Sequence, residues 1–129
     1  MSVTNLETIC ARYGHTIAEA PGLQKPSEKE NVITKALGVL AENGFYALNV
    51  FLLSCKDAKY GEAVENILCE MLCDKELALL SNKAQGVKAL QGMREITADL
   101  PRLILARRVT EQALTFARYH CKALGKSEK

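Results

Sequence analysis

The sequence predicts an all-α protein, a single compact bundle of about six helices, and three observations predict it. Aromatic residues make up 5% of the chain and tryptophan is absent, while Ala, Leu, Glu and Lys abound, a composition of helix formers. Apolar residues recur at i, i+3, i+4 and i+7 through most of the chain, the spacing of helices with one buried face. No stretch alternates with the two-residue period of a strand, and no low-complexity tract or useful repeat appears. A chain of 129 residues fits one domain and buries a core without metals or disulfides.

The elements follow in order. Leu6, Ile9, Cys10, Tyr13, Ile17 and Ala20 mark a first helix, which Pro21-Gly22 ends. Ser27 stands three residues before Glu30, a capping-box spacing that opens a second helix with Val32, Ile33, Ala36, Leu37 and Leu40 inward. That helix closes at Asn43-Gly44, where glycine takes positive φ without a Cβ clash. A third helix resumes at once through Phe45, Leu48, Leu52 and Cys55. The fourth, about Tyr60 to Cys73, turns Val64, Ile67, Leu68 and Met71 inward, and Glu62, Glu65 and Glu70 make much of its remaining surface acidic. A short fifth helix passes through Leu77 and Leu80. After SNKAQG a sixth carries Val87, Leu90, Met93 and Ile96. Pro101 suits the first turn of a last helix that runs to about Leu124, so the domain spans 1–124 and a flexible tail, 125–129, begins where Gly125 stops the helix.

Charge is unevenly divided. Residues 1–93 carry nine Lys/Arg against eleven Asp/Glu, whereas residues 94–129 carry eight against four, so the C-terminal third is the basic part. The start of the chain has no charged segment leading into an apolar run, and nothing approaches the roughly 18 apolar residues of a membrane span. Five scattered cysteines point to reduced thiols. These features lead us to expect a soluble cytoplasmic protein with no membrane association.

On a wheel of about 100° per residue, Leu103, Ala106, Val109, Ala113, Leu114, Ala117, Cys121 and Leu124 form the core stripe of the last helix. Arg107, Arg108, Arg118 and Lys122 share a neighbouring sector of roughly 100°, with Glu111 the opposing charge and Tyr119 at the border. Such a cluster suits phosphate oxygens, and the aromatic suits a base; the same face equally suits a solvated surface whose arginines cover apolar area or pair with the acidic fourth helix. Cys69 and Cys73, one turn apart, have no second ligand pair to complete a metal site, and a partner interface or second core face explains them. His15 and His120, the two histidines, would serve metal-independent RNA cleavage if they flanked one phosphate, whereas His120 on the apolar side reads as a hydrogen-bonded core histidine. No inward carboxylate pairs and no glycine-rich phosphate loop occur. Neither an enzyme nor a cofactor or metal is indicated.

LGVLAENGFYALNVFLLSC, residues 37–55, resembles a segment of the small helical subunit of type III-B CRISPR effector complexes, the Cmr module, through Leu40, Asn43, Gly44, Ala47, Val50, Phe51 and Leu52. LPRLILARRVTEQALTFARYHCKAL is similar to that family's final helix, and NLETICARYGHTIAEA to its first; together the segments cover about half the chain. No Pro precedes the apolar run at 37, and Phe116 stands where the family usually has Trp, which admits a related type III small subunit as well. The resemblance implies a helical bundle stacked in copies along a crRNA-bearing particle, a non-nuclease subunit supporting the guide–target duplex, the backbone and large subunits. The charge pattern, not the family motif, names Arg107, Arg108, Arg118 and Lys122 for phosphate contact, with Arg94 and Arg102 in support. The alternative is a helical protein-interaction module with no nucleic-acid role.

Overall fold

Helix-forming composition and apolar stripes give six α-helices and no strands among the described residues. The computed structural model describes residues 5–81 and 84–127. The helices are α1 (Leu6–Ala18), α2 (Pro26–Asn43), α3 (Phe45–Ser54), α4 (Ala58–Cys73), α5 (Ala89–Thr97) and α6 (Leu100–Ser127), with a 3-10 turn at Gly86–Lys88 before α5. At 1.5 Å per residue α6 is about 42 Å long, and it is the spine against which α1 and α2 pack most extensively. No helix is long and apolar enough to cross a membrane among the described residues.

α1 lies alongside α6 in the same direction. The Cys10 thiol donates to the Val109 carbonyl, and one turn on, Gly14 meets Ala113, Phe116 and Ala117. A Cβ on Gly14 would stand 2.8 Å from the Ala113 carbonyl oxygen and 2.9 Å from the Phe116 Cβ, so only glycine lets the helices come this close. Ala106, Val109, Ala113, Ala117 and Cys121 are all buried, as the α6 stripe predicts. α2 runs the opposite way along α6, with Pro26 beside Gly125 and the end of α2 at Leu40 beside Arg107.

Side chains from other helices seal the end of α1. Its carbonyls at Ile17 and Ala18 accept from the Tyr60 hydroxyl at 2.8 Å and the buried Lys29 ammonium at 2.9 Å; Ile17 also accepts from the Ala20 N–H, and the Lys29 charge suits the negative end of the helix dipole. Nearer its middle, Arg12 and Tyr13 bond to Asp74 at 2.8 and 2.9 Å. The Glu76 backbone N–H, then Tyr13 and Arg12, hold the Asp74 carboxyl below its ordinary range; Tyr13 rises to about 12, through burial first and Asp74 second.

Gly44 is at once the C-cap of α2 and the N-cap of α3, with φ +96° and ψ −178°. That combination is essentially restricted to glycine, and it differs from the left-handed helical turn by its extended ψ. One residue therefore turns the corner: its N–H bonds Leu40 and its carbonyl accepts from Leu48.

Several elements differ from expectation. α2 begins at Pro26, with Lys25 as N-cap and no side-chain cap bond, so the Ser27–Glu30 box does not form; Pro26 supplies the start and Glu30 turns toward α6. Leu77–Leu80 is not a helix. The Asp74 side chain bonds the Glu76 N–H, a local turn that competes with a new helix, and Leu79 and Leu80 bond back to Leu72 with Ala78 at φ +47°. Val87 falls in the 3-10 turn and is 74% exposed, so it does not face inward. Gly125 does not stop α6, which continues to Ser127; residues 128–129 of the expected tail lie outside the described residues. Glu65, expected on an acidic surface, is fully buried.

Two measurements check this packing. Gly14→Ala is expected to destabilise the fold by about 1–2 kcal/mol, overpacking outweighing alanine's helix propensity, whereas Gly38→Ala in α2, where a Cβ meets nothing within 4 Å, stabilises by about 0.5–1 kcal/mol; denaturant unfolding reads both signs. Neither Glu65 oxygen has a hydrogen-bond partner among the described residues, and burial lifts its pKa from 4.5 to about 9. The folded state therefore keeps a proton that the unfolded chain releases above pH 4.5, so this contribution to stability is complete below 4.5 and is lost as pH rises toward 9. The slope is at most about 1.4 kcal/mol per pH unit. Glu65→Met is expected to flatten that decline in unfolding experiments at pH 6 and 8.

Candidate nucleic-acid interface

Burying the Ala-rich stripe of α6 against α1 and α2 leaves a polar ridge outward. Ile104, Arg107, Arg108, Glu111, Gln112 and Thr115 line a shallow trough of about 410 Å³ on it. Arg107 is exposed yet donates to the Leu40 carbonyl at 3.3 Å, so its charge sits on the negative end of α2. Arg108 is exposed, and its guanidinium has no hydrogen bond or ion pair among the described residues.

Arg118 and Lys122 converge on Glu30 of α2, at 3.8 and 3.7 Å. The carboxylate neutralises one of the two charges and leaves the group net positive. Both distances exceed a hydrogen bond, and half-exposed pairs of this length contribute about 0–1 kcal/mol; Lys122 is open to a phosphate, whereas Arg118 is half-buried and its Nε is shielded from solvent. The alternative reading paired this face with acidic α4; the carboxylate that Arg118 and Lys122 meet belongs to α2. The wheel could place the two cations but could not name a carboxylate more than 85 residues away, and the capping-box spacing pointed Glu30 elsewhere.

Beyond Lys122 a second trough, about 480 Å³, runs between the start of α2 and the end of α6 and is lined by Lys25, Glu30, Lys122 and Lys126 among others. Lys25 and Lys126 were missed by sequence reasoning; Lys126 lies in the same angular sector as Arg107 and Arg118 by the helical period, and was lost because the helix was expected to stop at Gly125. From Arg107 to Lys126 the sector covers about 28 Å of axis. Arg94 and Arg102 do not belong to it. Arg94 lies on α5 and donates to the Tyr46 hydroxyl at 3.0 Å, and Arg102 donates to the Leu79 carbonyl, tying the Leu77–Leu80 segment to α6. Tyr119 is 65% exposed, free to stack.

The two histidines, distant in sequence, meet. His15 at the last turn of α1 and His120 of α6 touch edge to face, ring centroids 4.6 Å apart at 65°. His120 is half-buried and lies at the surface edge of the core. Direct ring contact leaves no space for a phosphate between the imidazoles, and Glu19, 3.3 Å from His15 Nε2, adds a negative charge there. The arrangement disfavours the two-histidine cleavage of a phosphodiester.

Cys69 is buried in the second face of α4 and Cys73 is half-buried against it. Burial pushes the Cys69 thiol up to about 12 and Cys10 to about 11, so these thiols stay protonated and unreactive at neutral pH. Comparisons with protein-family models, curated proteins and solved structures find no match for this chain.

Proposed function

We propose that this protein is a non-catalytic small subunit of a type III CRISPR ribonucleoprotein interference complex, acting in antiviral defence in the cytoplasm. It holds the crRNA–target RNA duplex by sequence-independent contacts and packs against the backbone and large subunits and further copies of itself. The observation that carries the reading is the basic sector of α6, Arg107, Arg108, Arg118, Lys122 and Lys126, extending about 28 Å along one solvent-facing side with Glu30 and Glu111 as its nearby acids. A-form duplexes are held chiefly through phosphates and shape, and a row of cations, exposed at Arg107, Arg108, Lys122 and Lys126 and half-buried at Arg118, suits that task. The similarity of residues 37–55 to the Cmr small subunit supports the same reading, as does the one-residue corner at Gly44.

A second reading has its own observation. Leu100 and Ile104, 65% and 60% exposed, stand one turn apart beside the arginines, and such a ridge also suits an acidic helical partner in an interaction module without RNA. Purification of the tagged chain from its native host distinguishes the two: RNA of discrete length in a larger particle supports the first, and a protein partner without nucleic acid supports the second.

In the assembled complex, Arg107→Gln combined with Arg108→Glu is expected to lower target-RNA capture about 10-fold or more at physiological salt and to reduce the salt slope by about 1.8, the release expected for two phosphate contacts on a duplex. Both side chains lie on the exposed side of α6, so helicity should be unchanged. Unaltered capture and slope would remove these two arginines from the RNA contact.

A further inference from the structure

The close approach of α1 and α6 assembles a group of side chains that the RNA reading does not use. His15 and Glu19, at i and i+4, share one face of α1 as it ends, and α6 brings His120 against them. One donor atom from each of the three lies within 4.8 Å of the others, and His15 Nε2 to Glu19 Oε1 is 3.3 Å. We propose that His15, Glu19 and His120 form a site for a divalent transition metal of the zinc class, clipping the end of α1 to α6 and leaving a fourth coordination position open to solvent.

The geometry is close to what such an ion requires. Metal–ligand bonds of about 2.0–2.2 Å in a tetrahedron hold the donors about 3.3–3.6 Å apart. The His15–Glu19 edge already has that length, and the two edges to His120 close by about 1–1.5 Å at most through rotation of side chains at the surface. Two imidazole nitrogens with one carboxylate oxygen select zinc, nickel, cobalt or copper over magnesium and calcium, which take oxygen ligands. The donor set agrees: one carboxylate charge stands with two imidazoles at the protein surface, His15 and Glu19 exposed and His120 half-buried, and a divalent ion binds all three at once. The five thiols do not take part, since none reaches this cluster. This inference is independent of the proposed RNA role, and the site survives if that role fails.

Titration of untagged full-length protein with Zn2+ tests it. One ion per chain is expected at micromolar or tighter affinity, undisturbed by millimolar Mg2+, with affinity falling at least tenfold in each of His15→Ala, Glu19→Gln and His120→Ala. Co2+ in place of Zn2+ should give ligand-field bands without a sulfur-to-metal charge-transfer band. In the unaltered protein, whose two imidazoles are its only ones, the nitrogen resonances of both should shift together on adding Zn2+, a readout independent of whether any variant folds. Absence of saturable binding, a thiolate band, an imidazole that does not respond, or undiminished affinity in any folded variant would overturn the assignment.

Discussion

The close contact between α1 and α6 at Gly14 is the constraint from which the rest of the structure follows. Because residue 14 has no Cβ, α1 lies where an added Cβ would stand 2.8 Å from the Ala113 carbonyl oxygen and 3.2 Å from the Ala117 amide nitrogen, and small residues along α6 keep the two helices in register from Cys10–Val109 to His15–His120. The same stretch of α1 carries outward-reaching side chains at Arg12 and Tyr13, which take hold of Asp74. Four successive residues thus bind α1 to the end of α4, to the core of the bundle and to the surface of α6. The stability of this arrangement comes from buried apolar area and close packing; the polar links mainly fix its register.

With α1 on one side and α2 on the other, α6 has a single flank left for solvent, and its cations other than Arg102 collect there. This is a consequence of packing more than of net charge, since the whole chain carries only +2. The flank is not uniformly basic: Glu30 tempers Arg118 and Lys122, Leu40 holds Arg107, and Arg108 is left as the most available guanidinium. Weak, long ion pairs of this kind contribute little to stability and leave the cations able to exchange partners.

Long, strongly periodic elements were legible in the sequence. The α6 stripe, the inward faces of α2 and α3 and the corner at Gly44 follow from spacing and from glycine's freedom. What was not legible depended on partners distant in the chain. Glu65 looks like one more surface acid of α4 until burial removes it from water; Leu77 and Leu80 look helical until the Asp74 side chain closes a turn ahead of them; Gly125 looks like a stop because glycine usually is one, but here the helix continues alongside the start of α2. The helical period places Arg107, Arg108, Arg118 and Lys122 in one angular sector of α6, while Arg94 lies on α5 and Arg102 turns to the Leu79 carbonyl. The meeting of His15 with His120 had no local signal, since two helices more than 100 residues apart in the chain supply it.

The most direct measurement of the central claim is ultraviolet cross-linking of RNA to this chain in the particle purified from its native host, with the cross-linked peptides identified by mass spectrometry. The account predicts nucleotide adducts along the outward side of α6, between Ile104 and Lys126, with Tyr119 prominent among them. Adducts confined to other helices, or a particle that contains the chain and no RNA, would contradict it.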